Sequence, residues 1–368
     1  MSTYDRYVTE VEQDTWDVPM TGFTRFNWDY DSGRSRLLDL YQRGKDKQWD
    51  ATKRIEWELP VDPCNVMNQD ESLSPIYGSR QWELLNQEQR DEVGLHLSSW
   101  LFSQFLHGEQ GALTVAARIV ETVPDVDSKF YAATQVMDEA RHVELYQKFI
   151  KEKIGVYYPV NEDLAKLLAE ALADGRWDYP YLGMQVLIEG LALAAFGVHR
   201  DMSRNPLVTQ LLAYVMQDEA RHVAFGRLAL REYYAELSDA ERAEREEFLI
   251  EGCYLMNNRF RGREVWERLG FDVDECLEFT EHSPVQQAFR TLLFTRIVPC
   301  VRDIGLWGPK VRHAFADLGV LGAADADLEV LMKADEDLAE QIDQDKYAAE
   351  LAARKAEVDE AITAGTAA

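Results

Sequence analysis

Asp138-Glu139-Ala140-Arg141-His142-Val143 recurs unchanged 80 residues later as Asp218-Glu219-Ala220-Arg221-His222-Val223. The chain has seven histidines, and two of them sit in these copies. A single Glu-x-x-His in an acidic protein carries little information. Two identical copies on segments of helical periodicity carry much more, because residues three apart share one face of a helix. Each copy therefore presents a carboxylate and an imidazole side by side, a donor pair suited to a first-row transition metal such as iron or manganese.

Working outward, each copy is preceded by a helical stretch with a glutamate set among apolar or small residues. These are Glu109, in Leu106-His107-Gly108-Glu109-Gln110-Gly111-Ala112-Leu113, and Glu189, in Val186-Leu187-Ile188-Glu189-Gly190-Leu191-Ala192-Leu193. Glu109 precedes Glu139 by 30 residues, and Glu189 precedes Glu219 by 30. The midpoints, 124 and 204, fall on Pro124 and on Arg204-Asn205-Pro206, both of which break helices. In an antiparallel helix pair, residues equidistant from the turn lie level, so each glutamate faces its Glu-x-x-His about 15 residues, or roughly 22 Å, from the loop. The alternative for Glu109 and Glu189 is burial against an arginine, since a carboxylate in an apolar run is costly unless paired or metal-bound. Glu109, Glu139, His142, Glu189, Glu219 and His222 together form the donor set expected of a dinuclear site inside a four-helix bundle.

The surrounding sequence fits that architecture. Helix is expected from Asn86, an N-cap with Gln89 three residues on, to Thr122. Further helices are expected from a cap at Asp127 or Ser128 to about 154, over 161–173, 179–203 and 207–237, and from the Ser238 cap onward. Period-two strand patterns are almost absent. The fold class is therefore all-α. Residues 1–85 read as an N-terminal arm whose aromatics, among them Trp16, Phe23, Phe26, Trp28, Tyr30, Trp49 and Trp57, pack onto the body. Residues 86–237 read as the bundle, 238–334 as additional packing helices and 335–368 as an acidic helical tail.

The pattern of Glu109, the two Asp-Glu-x-Arg-His motifs and Glu189 resembles the ferritin-like diiron-carboxylate superfamily over about residues 86–237. This group includes the small, radical-bearing subunit of ribonucleotide reductase, acyl-carrier-protein desaturases and arylamine N-oxygenases. The motif is most similar to the hydroxylase subunits of bacterial diiron monooxygenases. Tyr41 to Asp50 is faintly similar to an N-terminal helix of those oxygenases. The resemblance implies a ferritin-like four-helix bundle holding two iron ions, or a manganese–iron pair, with O₂ as co-substrate. It also implies a crossed arrangement in which Asp138 lies near His222 and Asp218 near His142, held by Arg141 and Arg221. Metal-bound histidines generally donate their other N–H to such a carboxylate.

Residues one turn from these donors are expected to shape a substrate chamber: Ala112, Leu113, Gln135, Gln185, Ala192, Leu193, Phe196 and Val215. At the same spacing each would equally serve as bundle core. Tyr146, four residues after His142, stands where the resemblance places a radical tyrosine; Gly226 takes that place in the second copy. Val215 stands where arylamine N-oxygenases carry a third histidine. Three functions fit: an O₂-dependent diiron oxygenase or oxidase acting on a small organic molecule by hydroxylation, N-oxidation or desaturation; a radical-generating subunit using Tyr146; and a non-catalytic iron-binding protein. The first is preferred, because the long flanking regions suit a substrate cap and a dimer surface better than a storage shell.

Composition narrows the partners. With 39 basic and 66 acidic residues the net charge is −27, which disfavours nucleic acid and anionic membrane. The four cysteines form no CxxC, and the chain has no Gly-rich nucleotide motif, so electrons are expected from a separate reductase or ferredoxin. The apolar stretch Val186–Val198 is broken by Glu189 and is too short to span a bilayer. No secretory h-region is evident near Met1, and a cytoplasmic location is expected. A homodimer is compatible with the extra helices.

Overall fold

The computed structural model describes residues 6–8, 17–30 and 33–366, with side chains described as far as residue 357. Among the described residues there is no strand, and one isolated bridge pairs Tyr7 with Tyr157. Helix α1 (Ser35–Asp46) packs on two helices of the bundle, those that carry the repeated hexapeptide. Helix α2 (Gln87–Thr122) begins with the expected capping box, in which Asn86 and Gln89 satisfy each other's backbone N–H groups. Val123, Pro124 and Asp125 turn the chain, and α3 (Val126–Phe149) returns along α2.

The cap of α3 differs from expectation. Asp125 accepts from the Ser128 N–H, whereas Asp127 accepts the backbone N–H groups of Gly33 and Arg34 at 3.1 and 2.9 Å. Asp127 is thus spent on tying down the segment before α1.

Helix α4 (Glu162–Ala173) is capped by Asn161. The next rod is not a plain α-helix. Asp178–Tyr181 leads into a π-helical stretch, Leu182–Ile188, and only then into α5 (Glu189–Met202). Such i→i+5 stretches are rare and occur mostly at functional sites. Ser203 to Asn205 turn the chain into α6 (Pro206–Tyr234), with Asn205 as cap and Pro206 in the first turn. Asp178–Met202 is long and apolar enough to cross a membrane, but 83% of its most apolar window is buried inside the protein, as suits a central core rod. Helices α7 (Asp239–Arg259, opened by a Ser238–Glu241 capping box), α8 (Arg263–Leu269) and α9 (Pro284–Leu293) flank the bundle.

The last helix, α10 (Leu328–Thr366), is not merely a fraying acidic tail. Its first half packs on α6 and buries Leu328, Met332 and Ala339. Buried Asp335 pairs with Arg200 at 3.2 Å and Arg296 at 2.7 Å, so α10 is fastened to α5.

The N-terminal arm also departs from expectation. Trp57 is buried, but Phe26 and Trp28 are 82% and 85% exposed, and Phe23 and Tyr30 also face solvent. Hydrogen bonds hold this segment instead: Thr21 N–H donates to Ala173 O, Arg25 N–H to Glu121 O and the Asn27 side-chain amide to Pro124 O. Trp16 and the turn residues Asp31 and Ser32 lie outside the described residues.

Candidate metal centre

The α2–α3 and α5–α6 pairs are built to the same measure. Glu109 stands 13 residues before the end of α2 and Glu139 13 residues after the start of α3; Glu189 and Glu219 repeat both offsets on α5 and α6. Four carboxylates are therefore level, about 20 Å from their loops. Their side chains meet in the bundle interior with His142 and His222, and none of the six residues is more than 5% exposed.

Their atoms fall into two overlapping groups with ligand-compatible spacing. Glu109, Glu139, His142 and Glu219 form one, and Glu139, Glu189 and His222 the other, with donor atoms in each within 4.8 Å of one another. The histidines orient alike. His142 Nδ1 is 3.2 Å from Glu109 Oε2, 3.3 Å from Glu139 Oε2 and 3.2 Å from Glu219 Oε1. His222 Nδ1 is 3.0 Å from Glu139 Oε1 and 3.5 Å from Glu219 Oε2. The other ring nitrogens face outward: His142 Nε2 lies 3.1 Å from Asp218 and His222 Nε2 3.3 Å from Asp138.

A lattice of cations holds the two aspartates. Arg141 contacts Asp138 at 2.5 Å and Asp218 at 2.8 Å. Arg221 pairs with Asp218 and lies 3.7 Å from Asp138. Two residues that follow α1 complete it. Trp49 Nε1 donates to Asp218 at 2.8 Å, and Gln48 Nε2 donates to Asp138 at 2.7 Å. Neither carries a ligand-like signal in sequence; the only pointer was the faint resemblance of Tyr41–Asp50.

Burial, reinforced by the Glu219 charge, raises the carboxyls of Glu109 and Glu189 well above the usual range. The Glu139 carboxyl is lowered despite its burial, by His222 and His142. Burial opposes charging of His142 and His222, yet Glu109 and Glu139 respectively raise them well above an ordinary imidazole. Asp218, also despite burial, is held well below the usual carboxylate range, first by Arg221. Glu139 Oε2, Glu189 Oε2, both Glu219 oxygens and His222 Nδ1 are buried without a hydrogen-bond partner. Buried acceptors left unpaired are rare and costly. Two divalent cations would satisfy these atoms at once, so the donor set fits a dimetal cofactor.

Beside the cluster lies a cavity of about 30 Å³, walled by Phe105, Ala112, Ala192, Phe196 and Phe260 among others. Of the expected chamber residues, Ala112, Ala192 and Phe196 line it. Leu113, Leu193 and Val215 do not. The cavity opens on the i+3 side of Glu109 and Glu189, so the i+4 residues turn away; Leu193 and Val215 are fully buried core. Gln135 and Gln185 also lie off the cavity. Gln135 donates to Glu139 at 3.0 Å and Glu189 at 2.8 Å, and Gln185 donates to Gln135 at 3.3 Å. Tyr146 is buried among Phe102, Phe105 and Phe196 with its hydroxyl unpartnered. Arg259 and Phe260, from the end of α7, also line the cavity, and motif spacing on the four central helices could not reach them.

The sequence model of the family described as p-aminobenzoate N-oxygenase AurF matches residues 31–305. Among solved structures, an R2-like ligand-binding oxidase with an aerobically reconstituted metal cofactor is 15% identical, covers 76% of this chain and 100% of its own, and has a TM-score of 0.49. A protein with aldehyde deformylating oxidase activity from Synechococcus is 14% identical, covers 63% of this chain and 98% of its own, and has a TM-score of 0.44. No curated protein matches the chain.

Proposed function

The chain belongs to the p-aminobenzoate N-oxygenase AurF family, and on that premise we propose that it is an O₂-dependent dimetal oxygenase or oxidase acting on a small organic substrate. The observation that carries this reading is the buried set of four glutamates and two histidines, with five donor atoms left unpartnered. Glu109, Glu139, His142, Glu189, Glu219 and His222 hold the cofactor. Bound there, two iron ions, or one manganese and one iron, supply the redox chemistry that activates O₂ toward an organic molecule.

The remaining roles belong to this chain's own side chains. Asp218 and Asp138 each accept the Nε2–H of one histidine, which leaves Nδ1 free to ligate and fixes the ring. Arg141, Arg221, Gln48 and Trp49 hold those aspartates in place. Gln135 donates to Glu139 and Glu189 and orients both carboxylates. Phe105, Phe196 and Phe260 exclude water from the side on which substrate meets the cluster. The apolar Val215 leaves the donor set at six side chains, without a third histidine from α6. Electrons come from a separate reductase or ferredoxin, and the enzyme works in the cytoplasm.

The test is anaerobic loading with ferrous iron followed by O₂. Wild type is expected to take up two irons per chain and to consume O₂ in proportion. Glu139→Ala and His222→Ala are expected to lose both. Unchanged iron uptake in the two variants would end the proposal.

A further inference from the structure

A second and much larger cavity, about 520 Å³, lies toward the start of α2 and the end of α5. Val66, Trp82, Trp100, Leu101, Phe289 and Leu292 give it an apolar lining. Leu101 is eight residues before Glu109, so this cavity begins about 12 Å along α2 from the carboxylates. A molecule lying wholly within it is too distant to react. The cavity beside the carboxylates, at about 30 Å³, holds little more than a water. Phe260 lines both cavities. It is also packed edge-on against Trp100 and Phe289 of the larger one.

Arg259, the residue before Phe260, lines the inner cavity. It is 6% exposed, and its Nε is buried without a partner. Among the described residues it has no ion pair; its contacts are the Phe260 ring, whose centroid lies 5.0 Å from the guanidinium carbon, and Met256 Sδ at 3.9 Å. Glu264 and Asp163 act on it only at a distance. Buried arginines are almost always paired, because an uncompensated buried charge is costly. Burial pushes this guanidinium down to about 10, so it stays cationic at neutral pH. In the outer cavity the indole Nε1 of buried Trp100 likewise lacks a partner. Arg259 and Trp100 are donors left without an acceptor, while the carboxylates of the outer lining, Asp70, Glu71 and Asp91, share it with Arg90 and Arg261.

We propose that the outer cavity is the substrate's antechamber, that Phe260 gates it from the metal-proximal pocket, and that Arg259 at the sill anchors an anionic group on the substrate. The proposal rests on the oxygenase reading and deepens it. The substrate class is an apolar organic anion larger than one aromatic ring. A cavity of about 150 Å³ already accommodates benzene, and this one is more than three times that size.

The test uses two dyes that share a frame and differ by one charge, anilinonaphthalene sulfonate and phenyl-naphthylamine, titrated by fluorescence into the full iron-loaded chain. Wild type is expected to bind both and to prefer the sulfonate by roughly tenfold, the size of one charge-assisted contact. Ser98→Phe, which fills the outer cavity from α2, is expected to weaken both dyes by about tenfold. Arg259→Met is expected to abolish the preference for the sulfonate, while Arg259→Lys retains it. A preference that survives in Arg259→Met, or dye binding untouched by Ser98→Phe, overturns the proposal. Metal content is measured on the same samples. It reports on the carboxylate cluster alone, so a failure of the oxygenase reading is seen separately from a failure of this one.

Discussion

Asp218 shows how much rests on single side chains at this centre. Its carboxylate accepts from Trp49, contacts His142 and neutralises Arg141 and Arg221. Asp218→Asn keeps the shape and removes the charge. Losing such a partner of a metal-bound histidine typically costs about 10–100-fold in metal affinity. Competition with a chelator should show that loss while helical content stays at the wild-type level; an unchanged affinity would mean that Asp218 does not orient His142.

A different histidine makes a pH prediction. His199 Nε2 is buried without a partner, and burial pushes the imidazole down to about 4. An unfolded histidine titrates near about 6.5. Between those values the unfolded chain takes up a proton that the folded chain does not. The contribution to stability is therefore intact above about pH 6.5 and falls as pH drops toward 4, by up to about 1.4 kcal/mol per pH unit. Denaturation measured across that window should be less pH-dependent in His199→Phe. An equal slope in both proteins would assign the titration to other groups.

At the scale of elements, most of the centre was legible because helices convert spacing into geometry. The two 30-residue spacings from glutamate to Glu-x-x-His became two helix pairs with identical offsets. What escaped came from outside that periodicity. The π-helical stretch before Glu189 has no local sequence signature, and a residue inserted into a turn changes which neighbours face the cavity. Gln48 and Trp49 reach the aspartates from a short arm, and Arg259 and Phe260 reach the cavity from the end of α7. The departure at Val215 weakens the resemblance to N-oxygenases without removing it, and the match over residues 31–305 places the chain in that family. One residue of a donor set does not outweigh the pattern of the whole.

Gly226 explains an asymmetry between the two copies. Where the first copy has Tyr146, the second has glycine because the π-helical stretch packs there. A Cβ at 226 would lie 2.4 Å from Gln185 Cβ. Gly226→Ala should destabilise the chain by about 1–3 kcal/mol through this overpacking. Equilibrium denaturation in urea measures it, and a neutral result would show that α6 and the π-helical stretch can separate freely.

At the scale of the whole molecule, the bundle is fastened by charges that composition alone cannot locate. A net charge of −27 predicted repulsion from nucleic acid and anionic membrane, but not that one acidic residue of the last helix would be buried. Asp335 neutralises both Arg200 and Arg296. Asp335→Ala leaves two buried guanidinium groups without this partner and should cost about 3–5 kcal/mol. Limited proteolysis should then release α10 earlier than in wild type. Unaltered protection would show that the apolar contacts of Leu328, Met332 and Ala339, with the outer ion pairs of Glu336 and Asp343, hold the helix without Asp335.

In the proposed oxygenase, six side chains from the four central helices share two metal ions. Anomalous diffraction from crystals of the iron-loaded protein tests it most directly. Two anomalous peaks per chain are expected within bonding distance of Glu109, Glu139, His142, Glu189, Glu219 and His222. A single peak, or metal bound elsewhere while these carboxylates stay empty, would contradict it.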